Sequence, residues 1–127
     1  MSEIPSERDP LTEQIVGAAI KVRRELGPGL LEGIYEQALC VELGLRGIAS
    51  QRQVEVDIHY KGNLLAGQRI DLLVADEVVV ETKSVTKLPE VALAQVLSYL
   101  KAARLRRGLL LNFGCVRMVD GIKRVSL

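Results

Sequence analysis

Two short apolar runs, residues 70–74 and 78–80, lie on either side of a three-residue segment and constrain this chain more than any other feature. Aliphatic runs bounded by turn residues favour strands, and a connection of this length favours an antiparallel hairpin. In that hairpin Val74 faces Val78, and counting back three places puts Asp71 opposite Glu81. The sequence therefore predicts two carboxylates side by side in otherwise apolar strands.

The predicted pair of carboxylates indicates a site for a hard cation. Directly opposed strand residues have Cβ atoms about 5 Å apart, where like charges destabilise the pair unless something positive lies between them. Side-chain alternation puts Lys83 on the face of Glu81, with Thr82 pointing away. Two carboxylates plus waters suit Mg²⁺ or Mn²⁺, and an ammonium group stabilises charge that develops on a phosphate. The alternative is solvated charges on a sheet edge, but charge within apolar strands is costly, which favours the metal site.

The N-terminal third predicts two helices. Asp9 is a suitable N-cap for the first helix. That helix is predicted to end at the glycine and proline residues 27–29. A second helix is predicted from Gly29 or Leu30 to about Arg46. Its predicted buried positions are Leu31, Ile34, Ala38, Leu39, Val41 and Leu45.

A change of hydrophobic period at Gln51 predicts that strands follow these helices. Strands are predicted from Gln51 to a turn at 61–63, then over residues 67–74, 78–84 and 109–113. A third helix is predicted over residues 90–104, with its apolar positions at Val91, Leu93, Ala94, Leu97, Leu100 and Ala103. A small closing hairpin is predicted from residues 116–119 and 122–125.

Length and composition set broad limits. At 127 residues, 48% hydrophobic and 26% charged, the chain is suited to one globular domain over residues 1–127, with the polar segment 1–8 expected to be flexible. Its apolar stretches are far shorter than the roughly 20 residues that span a bilayer, and its N-terminus lacks the basic start and apolar core of a signal peptide. We therefore expect a cytoplasmic protein with no membrane partner.

Charge and cysteine content narrow the candidate functions. The net charge is +1, from 17 basic and 16 acidic residues, so no large positive field favours tight nonspecific binding of DNA. The basic cluster Arg104, Arg106 and Arg107 is interpreted as a solvated helix end or as a contact for a phosphate backbone. Cys40 and Cys115 lack the spacing of zinc or redox motifs, so we expect buried, unreactive thiols.

Four short segments resemble motifs of a known nuclease superfamily. Residues 69–74, 80–84 and 95–99 resemble the D, E-x-K and Q-x-x-x-Y motifs of PD-(D/E)XK nucleases, especially the RecB-like branch. Residues 29–35 resemble the hallmark of the bacterial GxxExxY proteins, a small group within that superfamily. The resemblance extends from about residue 11 to residue 125, and it implies an α/β fold with a central mixed β-sheet flanked by helices. This restriction-endonuclease-like core has the order α-α-β-β-β-α-β plus a C-terminal hairpin.

The resemblance also implies which residues act. The implied catalytic residues are Asp71, Glu81, Lys83, Glu32, Gln95 and Tyr99. Within this set, Asp71 and Glu81 bind the metal and Glu32 is a further ligand or holds a water. Gln95 and Tyr99 support the site from the third helix. Two alternatives remain open: Glu32 stabilises its helix through the helix dipole, and Tyr99 is a packed residue with its hydroxyl satisfied.

These features predict metal-dependent hydrolysis of a nucleic-acid phosphodiester, with DNA as the expected substrate and Mg²⁺ or Mn²⁺ as the cofactor. The alternative is a catalytically inactive nuclease-fold module that binds nucleic acid or protein, which the near-zero net charge and the scarcity of aromatic residues favour. A homodimer that pairs through the closing hairpin, residues 116–127, is a further hypothesis.

Overall fold

The computed structural model describes residues 9–127, and the segment 1–8, which the sequence predicts to be flexible, lies outside the described residues. In chain order the elements are α1 (Pro10–Leu26), α2 (Glu32–Leu45), β1 (Ser50–Tyr60), β2 (Asn63–Val74), β3 (Val78–Lys83), α3 (Val91–Ala103), β4 (Arg107–Asn112), a short 3-10 helix (Met118–Gly121) and β5 (Ile122–Ser126). The predicted order of two helices, three strands, a helix and a strand is confirmed.

The described residues form a five-stranded mixed sheet in the order β1-β2-β3-β4-β5. Neighbouring strands are antiparallel except β3 and β4, which run parallel and are connected by α3. One apolar cluster joins α1 and α2 to one face of the sheet, and a second joins α3 to the other face. The central mixed sheet flanked by helices is therefore confirmed.

The start of α1 follows from its capping residue. The Asp9 carboxylate accepts hydrogen bonds from the backbone N–H of Leu11 (3.1 Å) and from the hydroxyl of Thr12 (2.8 Å). These bonds satisfy donors that have no partner within the first turn of a helix, and Pro10 needs none. The predicted cap is confirmed.

The predicted buried face of α2 is largely wrong. The helix begins at Glu32, later than predicted, and Leu31, Ile34, Val41 and Leu45 are exposed. Its buried residues are Tyr35, Glu36, Leu39 and Leu43. A helix that packs on α1 and the sheet buries one stripe, and here that stripe contains a carboxylate that hydropathy alone assigns to the surface.

The predicted apolar positions of α3 also differ from the observed ones. Val91, Leu93, Ala94 and Leu97 are exposed, whereas Ala92, Val96, Tyr99 and Leu100 are buried. Both stripes have helical spacing, so the period does not distinguish them. The close approach of α3 to β4 selects the buried stripe, because Val96 lies directly against Gly108. A Cβ added to Gly108 would lie 2.6 Å from Cγ1 of Val96.

The predicted closing hairpin is wrong in its first half. Residues 116–119 form no strand; the chain turns through the 3-10 helix, and β5 pairs directly with β4. Arg23 holds the preceding loop by donating hydrogen bonds to the carbonyls of Phe113 (3.1 Å) and Cys115 (2.9 Å). These bonds reach back to α1, so local sequence does not reveal them.

The fold also shows the environment of the two cysteines and the character of the helices. Cys40 and Cys115 are free but half-buried, so they are less protected than predicted. Across residues 9–127, every helix is too short or too polar to cross a bilayer.

Candidate functional site

The register of β2 against β3 places the two predicted acids together. The three-residue loop gives the pairs Val74–Val78, Leu73–Val79 and Leu72–Val80, which confirms the predicted register. The ladder ends one step before Asp71 and Glu81. Instead, Oδ2 of Asp71 accepts hydrogen bonds from the backbone N–H (2.9 Å) and the hydroxyl (3.1 Å) of Thr82. Asp71 therefore fastens β2 to β3 through its side chain, next to Glu81.

A change of face in β2 occurs at Asp71. Leu72 packs in the cluster beneath α1 and α2, whereas Ile70, two residues away on the same strand, packs beneath α3. Strand residues two apart normally share a face, so the alternation breaks at this level. The neighbouring strand has Gln53 at the same level, with a left-handed φ of 53°. This break leaves Asp71 at the point where the two layers of the fold meet.

Glu81 is a buried carboxylate with incomplete hydrogen bonding. Its Oε2 lies 3.4 Å from Nζ of Lys83, and its Oε1 has no hydrogen-bond partner among the described residues. Burial raises the pKa of Glu81 to about 7, the adjacent Asp71 carboxylate adds to the rise, and Lys83 opposes it. A buried carboxylate oxygen without a donor is costly, so this position favours a proton or a cation.

The carboxylate pair fits a divalent cation of the hard type. Within residues 9–127, no group of three or more His, Cys, Asp or Glu side chains converges closely enough to hold a metal ion. Mg²⁺ nevertheless often binds through one or two carboxylates and takes its other ligands from water and phosphate. Asp71 and the adjacent Glu81, whose Oε1 has no partner among the described residues, meet that smaller requirement.

Glu32 faces the site from the start of α2 without joining a three-carboxylate group. Burial raises its pKa, Lys83 opposes the rise, and Asp71 and Glu36 add to it. The side chain is therefore close enough to Lys83 and Asp71 for electrostatic coupling. Its role as a metal ligand or water-holder stays a prediction.

The residues around Glu32 fix the loop that precedes it. The buried hydroxyl of Tyr35 donates to the carbonyl of Gly27 (2.6 Å) and accepts from the N–H of Leu30 (3.2 Å), while its ring stacks on Phe113 at 4.6 Å. Gly29 adopts a φ of 94°, which only glycine adopts readily. Gly29 and Tyr35, two residues of the Gly29, Glu32 and Tyr35 pattern, thus each have a structural task.

A hydrogen-bonded network behind Asp71 was not predicted from the sequence. Glu36 is buried and its Oε1 accepts from Arg52 (3.0 Å) and from the side-chain amide of Gln53 (3.0 Å). The same amide lies 3.4 Å from Oδ1 of Asp71. Gln53 therefore joins α2 to the carboxylate pair. One signal was available: Glu36 follows Glu32 by four residues and so lies near it on the helix.

Helix α3 brings Tyr99 to the acids. Burial raises the pKa of Tyr99, and the nearby charges of Glu81 and Asp71 raise it further, so its hydroxyl stays protonated. Gln95 is half-buried one turn earlier, and its backbone carbonyl accepts a hydrogen bond from the hydroxyl of Ser98 (2.9 Å). Tyr99 thus lies within electrostatic reach of the pair, while a supporting role for the side chain of Gln95 stays a prediction.

Asn112 at the end of β4 holds the chain that leaves Lys83. Its Oδ1 accepts from the N–H groups of Val85 (3.1 Å) and Gly114 (2.9 Å), and its Nδ2 donates to the carbonyl of Val85 (3.0 Å). A Cβ at position 114 would lie 2.3 Å from that carbonyl oxygen, so only glycine fits. A cavity of about 470 Å³ opens beside this clamp and is lined by Pro28, Gly29, Leu30, Leu31, Glu32, Ser84, Val85, Thr86 and Gly114.

The basic cluster lies away from the acids. Lys83 pairs with Asn112 at one end of the parallel ladder, and Val78 pairs with Arg107 at the other. Arg107 also bonds to Asp9 and to Glu77. The basic helix exit therefore belongs to the opposite end of the sheet.

Comparison with known proteins gives one result. A family model described as the PD-(D/E)XK nuclease superfamily matches residues 9–125, which include every residue of the site described above. No curated protein and no solved structure matches the chain significantly.

Proposed function

Because this chain belongs to the PD-(D/E)XK nuclease superfamily, we propose that it hydrolyses phosphodiester bonds of DNA with the help of a divalent metal ion. Membership supports a nuclease-type function in general, and nucleases of this superfamily generally depend on divalent metals. The observation that carries the specific proposal is the buried Glu81, which is electrostatically coupled to Asp71, has its Oε2 3.4 Å from Nζ of Lys83, and has no hydrogen-bond partner for Oε1 among the described residues.

The side chains divide the chemical work as follows. Asp71 and Glu81 would hold Mg²⁺, or Mn²⁺ in its place, and the bound ion would lower the pKa of a water and neutralise charge on the phosphate. Lys83 stabilises the charge that gathers on the scissile phosphate through its ammonium group. Glu32 orients a water from the edge of the site. The Tyr99 hydroxyl donates toward the carboxylates and keeps them in position.

The cavity beside Glu32 gives the substrate a place to lie. Its volume of about 470 Å³ falls within the range of small-molecule sites. Apolar side chains of Leu30 and Val85 suit the faces of a base or sugar, and the hydroxyls of Ser84 and Thr86 suit its polar edges. We assign this cavity to the nucleotide next to the scissile phosphate.

We further propose that the chain belongs to the bacterial GxxExxY branch of the superfamily. The tasks of Gly29 and Tyr35 support this assignment, because each depends on its residue type, and Glu32 is electrostatically coupled to Asp71 and Lys83. A bacterial DNA substrate would place the protein in the cytoplasm.

A cleavage assay tests the proposal. The purified chain is incubated with Mg²⁺ or Mn²⁺ and a panel of single- and double-stranded DNA and RNA. Glu81→Ala and Lys83→Ala are expected to lower the rate by about 10³-fold or more, as loss of a group that stabilises transition-state charge does. The matched control is Glu55→Ala, an exposed acid ion-paired with Arg69 on β1 and β2, whose rate should not change.

Two outcomes would contradict this proposal. Cleavage that survives in Glu81→Ala would show that the activity arises elsewhere. Unchanged cleavage by a folded Lys83→Ala protein that still binds metal would remove Lys83 from the mechanism.

The second candidate function is a nuclease-fold module that binds nucleic acid or protein without turnover. Two observations favour it: residues 9–127 contain no three-carboxylate group, and the basic helix exit lies at the far end of the sheet. Metal-independent binding of a nucleic acid, without cleavage of any member of the panel, would support this alternative.

A further inference from the structure

The outward face of α2 is apolar along its whole length. Leu31, Ile34, Val41 and Leu45 are 79%, 43%, 65% and 78% exposed. Together with the half-buried Ala38 they recur at intervals of three, four, three and four residues. This spacing is that of the seam between two helices packed along their length. Solvent-facing helix surfaces are normally polar, so this seam indicates a contact that the isolated chain does not make.

Charge is absent from the same face. The other exposed positions of the helix are Gly33, Gln37 and Gly44. None of the three acids of α2 is exposed: Glu36 is buried against Arg52, Glu32 is half-buried, and Glu42 is half-buried and paired with Arg46. From Leu31 to Leu45, no charged residue is exposed.

We infer that this face pairs with the same face of a second copy of the chain, antiparallel about a two-fold axis near Ala38. Leu31 then lies against Leu45 of the partner subunit, and Ile34 lies against Val41 of the partner subunit. Ala38 meets its own copy at the axis, where a small side chain lets the two helices approach closely. The seam is self-complementary because its residues lie almost symmetrically on either side of Ala38.

The absence of charge favours a second copy over a different protein. A two-fold axis brings each residue near it close to its own copy, so a charge there would be repelled by itself. Different partners are commonly matched by opposite charges, and this face offers none to match. The apolar positions of α3 differ in this respect, because Lys101 is exposed on the same helix.

Sedimentation of the full chain over a range of concentrations tests the inference without any assay of activity. The wild type is expected to be a dimer. Val41→Glu is expected to weaken dimerisation by about 100-fold or more, because it places two unpaired charges in the seam. Val116→Glu is the matched control: it changes a still more exposed valine, 95% against 65% for Val41, in the loop between β4 and β5.

The possible results separate cleanly. Both substituted residues are exposed, so circular dichroism should show a wild-type fold for both variants. A dimer that Val41→Glu disrupts and Val116→Glu leaves intact supports the seam. A wild-type monomer at the highest concentration overturns the inference. A Val41→Glu protein that still dimerises also overturns the inference. A dimer that Val116→Glu disrupts would indicate that the loop between β4 and β5 forms the interface instead.

Discussion

Glu36 on α2 and Glu81 on β3 are both almost fully buried, 3% and 5% exposed, yet their surroundings differ. Glu36 accepts hydrogen bonds on both oxygens from Arg52 and Gln53. Glu81 has a carboxylate neighbour, a lysine at 3.4 Å and one oxygen without a partner among the described residues. Burial of a carboxylate therefore does not by itself identify a functional site. What distinguishes the two regions is whether the charge is satisfied by the protein alone.

If Glu36 is structural, its removal should have the larger effect on folding. We expect Glu36→Ala to lower the free energy of unfolding by about 3 kcal/mol, because it removes the hydrogen-bond acceptor that Arg52 and Gln53 share. Urea denaturation at pH 7 measures the change. Glu55→Ala, which breaks an exposed ion pair, should change stability by less than about 0.5 kcal/mol. Equal effects of the two variants would remove the contrast between the regions.

Glu81 should behave in the opposite way when metal is absent. The raised folded pKa of about 7 means that the folded state retains a proton that the unfolded state releases above its ordinary value of 4.5. This contribution to stability is complete below about pH 4.5 and is lost as the pH rises through 7. Glu81→Gln, which does not titrate, should therefore be more stable than wild type at pH 8 by about 2 kcal/mol, allowing for screening by water at the open edge of the site.

Chemical denaturation in a chelator at pH 5 and pH 8 tests this sign. The stability difference between Glu81→Gln and wild type should be larger at the higher pH. A variant that is less stable than wild type at pH 8 would indicate that Glu81, like Glu36, is satisfied by the protein.

Added metal should separate the two regions further. A ligand that binds only the folded state stabilises it, by about 1.4 kcal/mol at ten times the dissociation constant. Mg²⁺ or Mn²⁺ is expected to raise the melting temperature of the wild type and of Gln53→Ala but not that of Glu81→Gln. Thermal unfolding with and without metal measures the effect. Equal stabilisation of all three proteins would place the ion somewhere other than on Glu81.

The smallest expected effect concerns Gln53, whose side-chain amide connects Glu36 to Asp71 beside Glu81. Gln53→Ala removes the amide shared by Glu36 and Asp71 while leaving the backbone strain at φ 53° in place, so we expect a loss of about 1 kcal/mol. A double-mutant cycle with Glu36→Ala measures the coupling. Fully additive effects would show that the amide does not depend on Glu36.

Local rules were enough to predict the carboxylate pair. The loop length between β2 and β3 fixes which residues face each other, and Asp9 defines the start of α1 through bonds to residues two and three places away. Such features depend on a few neighbouring residues, so the sequence specifies them directly. The central part of the candidate site could be predicted for the same reason, because Asp71, Glu81 and Lys83 lie within one hairpin.

Contacts between distant segments could not be predicted in this way. Glu36 meets Arg52 across 16 residues, and Asn112 meets Val85 across 27. The buried stripes of α2 and α3 depend on how closely each helix approaches the sheet, which a periodic pattern does not determine. The closing hairpin was wrong because Arg23, 90 residues away, holds the carbonyl of Phe113. In each of these errors the local sequence allows more than one structure, and packing against distant residues determines which one forms.

The stack of Tyr35 on Phe113 has a consequence for protein synthesis. The ribosome releases Glu32, Asp71 and Glu81 well before Asn112 and Phe113, which hold loops next to the site. An emerging chain therefore carries every acidic group of the cluster without the parts that fix its shape. Any activity of this cluster would then begin only after residues 112 and 113 have emerged and packed, so a shorter nascent chain would not act on nearby nucleic acid.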